Sequence, residues 1–363
     1  MVSLKFSIFT SQKRSACMNG FQIDILHEIN EKLLIKIARF VEGNQHGNIF
    51  QHPDMFVLYK GLQGHQPIYC ILSHSDGIKG VLLSVLLSEP AGLKKRLTKR
   101  VISFGGPVID QQNDQPELLT HKLLEGLENH LGKTPIYIQF RLFSGEEKMN
   151  QVFLNKGYFA QKRFNTLVHI DEKDKCMQRL SESKRRQVKK SLKNGARIIQ
   201  PSRLEQIEEF YKILSDLYRK KVKKPLQDIS FFKRFYQFSK DGKLGIILLV
   251  EYDQKIIGGM VCPLTEGRCI YEWYICGLDK AYKSEGIYPS VLATWAAIEY
   301  AADRRIPAFD FLGAGKPGVP YGVRDFKLRF GGSVEEVYRY NKILNRPKYE
   351  VAELAYNIKR WLG

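Results

Sequence analysis

The order of predicted helices and strands in the first half of the 363-residue chain is repeated in its second half. In the first half, apolar residues four apart predict an amphipathic helix over 21–41, and short alternating runs predict strands after it. These later elements are strands Ile68–Leu72, Gly80–Leu87 and Val101–Phe104, helix Glu117–Leu131, strand Ile136–Phe140, helix Glu146–Asn155 and strand Thr166–Ile170. A repeated order of this kind restricts the chain to two similar domains, because each copy can bury one sheet under its own helices.

The second half shows the same plan with different residues. Its predicted elements are helices Arg203–Val222 and Ser230–Phe238, strands over 245–251, 256–264 and 269–276, helix Pro289–Asp303 and strand Pro307–Leu312. A chain of 363 residues is also longer than one ordinary domain. We therefore predict a first domain over 1–172, a second over 173–345, and a C-terminal helix over 346–363 that packs back on the first domain.

Each copy contains helices, an antiparallel three-strand meander and a final strand–helix–strand unit. This is the plan of the acyltransferase fold called GNAT. The predicted fold class is therefore α/β with mixed (α+β) sheets, arranged as two tandem GNAT-like acyltransferase domains.

The charge balance predicts a polyanionic partner. Lys and Arg number 57 against 38 Asp and Glu, which gives a net charge of +19. Such a balance favours nucleic acid, anionic lipid headgroups or nucleotide-linked substrates without choosing among them. No apolar run approaches the ~20 residues of a membrane span, and the N-terminus lacks the pattern of a signal peptide. We expect a cytoplasmic protein with no transmembrane segment, which allows peripheral contact with the anionic inner membrane surface.

The six cysteines include no CxxC pair, and we expect buried free thiols of a reducing compartment, Cys17 among them. Cys276 is a poor candidate nucleophile because no His partner lies near it in sequence. The eight histidines are scattered, so no metal site is expected. The sequence predicts no cofactor.

The stretch Tyr321–Gly332 (YGVRDFKLRFGG) alternates the cations Arg324, Lys327 and Arg329 with two aromatic rings. It follows an apolar strand and the glycine-rich turn GAGKPGVP, whose Gly313 and Gly315 allow the backbone to approach a ligand closely. Such a segment can bind a polyanion. It can also be a surface strand with its two phenylalanines packed inward and its cations solvated.

A second basic segment joins the two halves. In SESKRRQVKKSLKNGARI, Ser181 predicts the N-cap of a helix and Gly195 its end. The helix carries six cations over about three turns: Lys184, Arg185, Arg186, Lys189, Lys190 and Lys193. They predict either a solvated face or a phosphate-binding surface, since like charges this close repel one another unless an anion lies across them.

These segments resemble the Fem-type (FemABX) aminoacyltransferases, which extend peptidoglycan stem peptides with aminoacyl-tRNA as donor. The resemblance rests on SKRRQVKKSLKNGARI, AIEYAADRRIPAFDFLGAG and GVRDFKLRFGG in the second half, and on NIFQHPDM and GGPVID in the first. The F-K-x-x-F-G signature falls on Phe326, Lys327, Phe330 and Gly331. The short Lys220–Gln227 connection resembles members without a coiled-coil insertion.

The resemblance implies aminoacyl-tRNA as donor and a UDP-linked or lipid-linked muropeptide as acceptor. It implies that Phe326 contacts the terminal nucleotide and that Lys327 stabilises the charge that develops on the ester carbonyl. Around them we expect substrate contacts from Tyr321, Arg324, Arg329, Gly313 and Gly315. Arg219 or Lys221 is the predicted contact to the acceptor phosphate.

The chemistry itself is undemanding, because an amine attacking an ester needs mainly proximity, one cation for the oxyanion and a proton acceptor. Asp310 and Asp325 are the candidate acceptors, and the alternative for Asp310 is a hydrogen-bonded residue at a strand end.

Acyl-CoA users of this fold hold pyrophosphate on an R/Q-x-x-G-x-G/A loop at a helix N-terminus. The chain has no match to that loop; GLDKAYKSEGIYPS stands in its place. Three interpretations follow: tRNA-dependent aminoacyl transfer, N-acyl transfer from acyl-CoA or another activated donor to a small amine or amino sugar, and a non-catalytic protein that binds RNA or an anionic surface.

Overall fold

The computed structural model describes residues 13–18, 20–88, 98–143 and 147–362 of the chain. It divides into two compact units, the first comprising Met1–Gln161 with Tyr338–Gly363 and the second Lys162–Val337. The N-terminal residues 1–12 lie outside the described part, as does the side chain of Cys17.

The first unit contains helices α1 to α4, strands β1 to β7, the end of the last strand, β15 (Ser333–Ile343), and a C-terminal helix. Its helices are α1 (Glu31–Gly43), α2 (Pro53–Lys60), α3 (Pro116–Leu131) and α4 (Glu147–Asn155), with a 3-10 turn over Ile49–Gln51. Its strands are β1 (Lys13–Met18), β2 (Phe21–Leu26), β3 (His65–His74), β4 (Gly77–Leu87), β5 (Arg100–Phe104), β6 (Val108–Ile109) and β7 (Tyr137–Arg141).

The sheet of this unit runs β1–β2–β3–β4–β5–β7, and β5 and β7 are parallel. The edge at β7 continues with residues 339–343, which pair antiparallel to it. Strands β3 and β4 form a long antiparallel hairpin, which contains the predicted strands Ile68–Leu72 and Gly80–Leu87 and turns at Ser75 and Asp76. Helix α3 buries Leu119, Leu123 and Leu127 fully against this sheet, at the spacing that its sequence predicts.

The second unit contains β8 to β14 and helices α5 to α11, and β15 (Ser333–Ile343) leads from it into the first unit. Its helices are α5 (Lys173–Arg179), α6 (Glu182–Lys193), α7 (Leu204–Leu217), α8 (Ile229–Lys240), α9 (Asp279–Tyr282), α10 (Pro289–Asp303) and α11 (Gly322–Leu328). A π-helical turn covers Tyr218–Val222. The C-terminal helix of the first unit, α12 (Arg346–Leu362), follows β15. Its strands are β8 (Phe159–His169), β9 (Arg197–Ile199), β10 (Gly245–Tyr252), β11 (Lys255–Thr265), β12 (Cys269–Tyr271), β13 (Tyr274–Gly277) and β14 (Ala308–Asp310).

The sheet of the second unit runs β8–β14–β12–β11–β10–β9, with β13 paired to β11. Strands β12 and β14 are parallel, as β5 and β7 are in the first unit. Helix α10 is apolar on nearly every side, and Leu292, Trp295 and Ile298 on it are fully buried in the core. The repeated plan predicted from the sequence is therefore present, and the fold consists of two GNAT-like domains.

Three elements differ from the predicted ones, and the second of these differences bears on the site. Residues 21–26 form strand β2, which pairs with β3, rather than the start of a helix. Helix α1 begins only at Glu31, where the Asn30 side chain caps it by accepting from Leu33 N. The third meander strand is two strands, β12 and β13, interrupted at Glu272 and Trp273. The turn and helix around Gln51 were not predicted at all.

The boundaries between the two units lie after Gln161 and after Val337, whereas the predicted boundaries were after residues 172 and 345. Strand β8, predicted as the last strand of the first domain, pairs with β14 in the second unit. The strand that extends the first sheet beyond β7 comes instead from residues 339–343. Each of these two strands is therefore contributed by a segment that the sequence order assigns to the other copy. Among the described residues, no helix is both long enough and apolar enough to cross a membrane.

Candidate active site

A buried charged cluster lies where β14 ends beside the interruption between β12 and β13. Tyr271 pairs with Asp310 in parallel register, and the backbone N–H of Glu272 donates to the Asp310 carbonyl at 2.8 Å. After Glu272, the N–H of Trp273 donates to Val261, and β13 continues along β11. The Glu272 carboxylate is thus held inside the sheet at the level where β14 stops.

Lys327 meets this carboxylate from α11. Its Nζ lies 3.1 Å from Glu272 Oε1, and both side chains are more than nine-tenths buried. The same Nζ donates to the carbonyls of Phe311 at 2.7 Å and Gly313 at 2.9 Å. An ammonium has three N–H donors, so these three acceptors occupy all of them. Lys327 therefore fixes the backbone that leaves β14 and neutralises a buried acid.

The Lys327 ammonium interacts electrostatically with two buried carboxyl groups, those of Glu272 and Asp310. Burial raises the pKa of Glu272, and the nearby Asp310 raises it further, while Lys327 opposes both effects. Burial also raises the pKa of Asp310, against hydrogen bonds to Oδ1 from Leu312 N at 2.6 Å and Asn165 Nδ2 at 2.7 Å. A pair of acids with raised pKa values beside a cation is suited to accept and return a proton.

A row of aromatic rings leads from this cluster to α6. Successive ring centroids are 4.6 Å apart for Phe309 and Phe311, 6.1 Å for Phe311 and Phe330, and 5.2 Å for Phe330 and Phe326. Lys327 Nζ lies 5.0 Å from the Phe311 ring, toward one end of the row. At the other end, Lys184 Nζ lies 4.1 Å from the centre of the Phe326 ring.

The glycine-rich turn after β14 is held by Arg324. Its guanidinium donates to the carbonyls of Lys316 at 3.3 Å and Val319 at 2.9 Å, and it lies over the Phe164 ring. Gly315 has φ +91°, and a side chain there would also meet the Tyr321 ring at 3.0 Å. Arg324 and Tyr321 therefore shape this turn in addition to any contact with substrate.

Helix α6 confirms the predicted caps, since Ser181 accepts from Lys184 N and Gly195 adopts φ +95°. Lys184, Val188 and Ser191 face inward. An open groove of about 630 Å³ lies against the other face, which we call the basic face of α6: Arg185, Arg186, Lys189, Lys190 and Lys193.

The structure also places the remaining predicted residues. Arg329 is exposed, and its carbonyl accepts from Ser181 N at 2.9 Å, which joins the end of α11 to the start of α6. Arg219 and Lys221 are exposed on the π-helical turn, and Arg219 pairs with Asp216 at 2.6 Å. Asp325 is exposed, whereas Asp310 lies in the buried cluster. The interpretation of residues 321–332 as a strand with solvated cations is wrong, because they begin as a helix and Lys327 is buried.

Glu272 was missed by sequence reasoning. The run CIYEWYIC reads as an apolar strand with one acid inside it. Because a carboxylate is rarely buried without a partner, that single residue was the available signal for a buried cation elsewhere in the chain.

The N-terminus of α10 is filled by a side chain of the same unit. Ser290 N donates to Asp279 Oδ1 at 3.1 Å, and the preceding Tyr288 N donates to Ser191 Oγ at 3.0 Å. This is the helix that follows the meander, where acyl-CoA users of the fold place pyrophosphate. Here a carboxylate occupies the position at which a helix N-terminus would bind an anion.

Comparison with known proteins places this site in a described domain type. Residues 179–327 match the family model "Acetyltransferase (GNAT) domain", a range that includes Lys184, Glu272, Asp310 and Lys327. A search of curated proteins gave no match.

Solved structures resemble the chain along most of its length. FemX has a TM-score of 0.66 at 15% identity and covers 90% of this chain and 99% of its own. The C-terminal domain of a putative lysylphosphatidylglycerol synthetase of Agrobacterium fabrum has a TM-score of 0.55 at 12% identity and covers 91% of this chain and 97% of its own. A tandem GNAT protein from the clavulanic acid biosynthesis pathway has a TM-score of 0.53 at 9% identity and covers 90% of this chain and 99% of its own. Residues 179–327 therefore form a GNAT-type acyltransferase domain, and the chain as a whole has the fold of two GNAT-like domains.

Proposed function

We propose that the protein transfers an aminoacyl group from aminoacyl-tRNA to an amine of a peptidoglycan precursor, as a cytoplasmic enzyme. The acceptor is a UDP-linked or lipid-linked muropeptide. The proposal agrees with the F-K-x-x-F-G signature and with the similarity in fold to FemX.

The observation that carries the choice of donor is the Asp279 carboxylate at the N-terminus of α10. A pyrophosphate there would compete with the bond from Ser290 N and would meet a negative charge. The basic face of α6 offers five cations to a polyanion on the same unit. A donor with a phosphodiester backbone matches this distribution better than acyl-CoA does.

The buried cluster supplies the chemistry in this proposal. The acceptor amine attacks the ester carbonyl carbon, a C–N bond forms, and the bond from that carbon to the ribose oxygen breaks. Glu272 takes the proton that the attacking nitrogen loses and returns it to the departing oxygen. When Glu272 is protonated, one N–H of Lys327 is released from its 3.1 Å contact and can serve the tetrahedral oxyanion. Asp310 raises the pKa of Glu272 and holds Leu312 N.

The second candidate is N-acyl transfer from acyl-CoA to a small amine or amino sugar. The match of residues 179–327 to an acetyltransferase domain favours it. It requires a pyrophosphate site other than the N-terminus of α10.

The deciding experiment offers both donors to one acceptor. The protein is incubated with a UDP-linked muropeptide and either a charged tRNA pool or acetyl-CoA, and the peptide is then weighed by mass spectrometry. We expect an added amino-acid mass with tRNA, and at least a 100-fold lower rate for Glu272→Gln, which keeps the side-chain shape but cannot accept the proton.

An exposed acid provides the matched control. Asp325→Asn should retain the transfer rate if Glu272 is the proton acceptor. An acetyl mass with acetyl-CoA and no product with charged tRNA would replace the proposal with the second candidate. No product from either donor, with intact binding of RNA, would favour a binding protein.

A further inference from the structure

Lys184 is a buried cation whose hydrogen-bonding capacity is largely unused. Its residue is 6% exposed, and its Nζ makes one hydrogen bond, to Gln187 Oε1 at 3.2 Å. No carboxylate among the described residues lies within ion-pair distance of it. Two of its three N–H donors therefore have no hydrogen-bond acceptor in the part of the chain that the structure describes. Lys327, at a similar burial, uses all three.

The environment of Lys184 explains what such a cation could bind. The ammonium lies 4.1 Å from the Phe326 ring centre and 5.7 Å from that of Phe330. It is on α6, whose outward side is the basic face. Lys184 itself faces inward, toward the Phe326 ring, so a base stacked on that ring would bring a phosphate of the same nucleotide to the ammonium.

We propose that Lys184 binds a phosphate of the nucleotide whose base stacks on Phe326. The inference rests on the proposed function, in which that nucleotide is the terminal adenosine of the tRNA. Coenzyme A also ends in an adenosine with phosphates, so the shared chemistry is an adenosine phosphate and the sources must be separated by experiment.

The titration of Lys184 supports this geometry. Burial lowers its pKa to about 8, the neighbouring Arg329 lowers it as well, and Asp279 acts in the opposite direction. These are the charged groups that face it from α9 and from the end of α11. At pH 7 the amine is mostly protonated, and above pH 8 it becomes neutral. A phosphate bound to it would therefore be released as the pH rises.

The test compares adenosine 5′-monophosphate with adenosine, two probes that differ by one phosphate, by NMR titration at low salt. We expect the wild type to prefer the monophosphate by about 10- to 100-fold at pH 7, as for hydrogen bonds between charged groups. The preference should fall as the pH passes 8. Lys184→Met should abolish it without changing the affinity for adenosine, and Lys255→Met, at an exposed lysine of the same unit, should leave it intact.

Two further variants and measurements separate binding from folding. Lys184→Arg should keep a preference that no longer declines up to pH 10, because guanidinium does not titrate there. Lys184→Met should melt at the same temperature as the wild type or higher, since it removes a buried charge that has no counter-ion. A structural lysine would give a lower melting temperature.

The source of the phosphate is tested with adenosine 3′,5′-bisphosphate. An aminoacyl-tRNA end has no 3′-phosphate, so the extra phosphate should weaken binding, whereas a coenzyme A site should bind the bisphosphate more tightly. The second result would overturn the proposed donor and leave Lys184 as the phosphate ligand. A wild type without preference for the monophosphate, or a Lys184→Met protein that keeps the preference, would overturn the inference itself.

Discussion

The two units share an order of elements and differ in what they bury. In the first unit, the buried polar side chains among the described residues are neutral: Asn44, Asn48, Gln51, Ser84, Ser103, Thr120 and Asn341. In the second unit they include four ionisable ones: Lys184, Glu272, Asp310 and Lys327. Burying charge is costly unless it is paired, and such groups concentrate at functional sites. This difference supports the proposal that the second copy carries the chemistry.

The corresponding interior of the first unit shows what a purely structural solution looks like. Gln51 is fully buried, and its amide bridges the Leu83 backbone on β4 and the carbonyl of Phe104 on β5. The 3-10 turn that carries it is thereby fixed to the sheet. The neutral Gln51 amide holds buried backbone in place in this unit, as Lys327 does in the other unit through its bonds to Phe311 and Gly313. Unlike the ion pair of Lys327 and Glu272, the amide cannot exchange a proton.

The largest expected effect is on the stability of the second unit. Lys327→Met leaves Glu272 buried without its cation, and we expect the free energy of unfolding to fall by about 3 to 5 kcal/mol in urea titrations. Lys327→Met combined with Glu272→Gln should recover most of that loss, since no unpaired charge is left. If Lys327→Met alone were as stable as the wild type, Glu272 would already be protonated in the folded protein. The second unit would then hold no buried ion pair there, and the contrast with the first unit would fail.

The same variant has a predictable pH dependence. Burial raises the pKa of Glu272 in the folded protein above its unfolded value. A raised pKa favours the folded state below the unfolded pKa, and this contribution is lost as the pH rises through the folded pKa. Without Lys327 the folded pKa is higher still. The deficit of Lys327→Met should therefore be smaller near pH 5 than near pH 8, and urea titrations at both values measure it. A deficit that does not change with pH would contradict a pair based on charge.

A smaller loss of stability is expected in the first unit. Gln51→Leu removes the hydrogen bonds to Leu83 and Phe104, among them the side-chain acceptor of the buried Leu83 N–H, at a cost of about 2 to 3 kcal/mol. The variant should be as active per folded molecule as the wild type, because the residue is fully buried in the first unit, where the buried polar side chains among the described residues are neutral. Transfer rates corrected for the folded fraction test this. A specific loss of transfer would give the first unit a part in the chemistry.

The sequence predicted the repeated plan better than it predicted the site. The periodic apolar residues of α3 and α10 and the predicted caps of α6 place those helices almost to the residue. The sheet in which β8 and residues 339–343 pair was not predictable, since the order of elements along the chain assigns each of them to the other copy.

The site was only partly predictable, for a related reason. The chain brings Lys327 to Glu272 across 55 positions, and neither flanking sequence reveals the other residue. The cations that could be recognised as a run, in α6, are mostly the exposed ones. Lys184 belongs to the same run, and only its position on the inward face of the helix distinguishes it.

A smaller free-energy change is expected when Phe326, the proposed contact to the donor nucleotide, is removed. Phe326 is partly buried, whereas Phe330 is 1% exposed within the core. Phe326→Ala should weaken binding of a tRNA acceptor-stem RNA by about 1 to 3 kcal/mol if the ring stacks on a terminal base. Phe330→Ala should instead lower stability by about 3 to 5 kcal/mol as a core truncation. Melting curves and fluorescence titrations on both variants distinguish the roles. Equal losses of stability in the two would make Phe326 a core residue.

The smallest expected effect concerns surface charge, and it compares the two units directly. If the basic face of α6 and the Arg324 to Arg329 segment both contact phosphates, log K for RNA should fall with log salt at a slope of about 3 to 6, since each neutralised phosphate contributes roughly 0.7 to 0.9. Replacing Lys189, Lys190 and Lys193 with glutamine should lower that slope by about 2 without unfolding the protein, because exposed charges add little to stability. The matched control removes Lys32, Lys36 and Arg39 from the exposed side of α1 in the first unit. It takes away the same net charge, so an equal drop in slope would mean that RNA responds to the charge of the whole protein. A drop confined to α6 would assign the polyanion to the unit that also holds the buried charges.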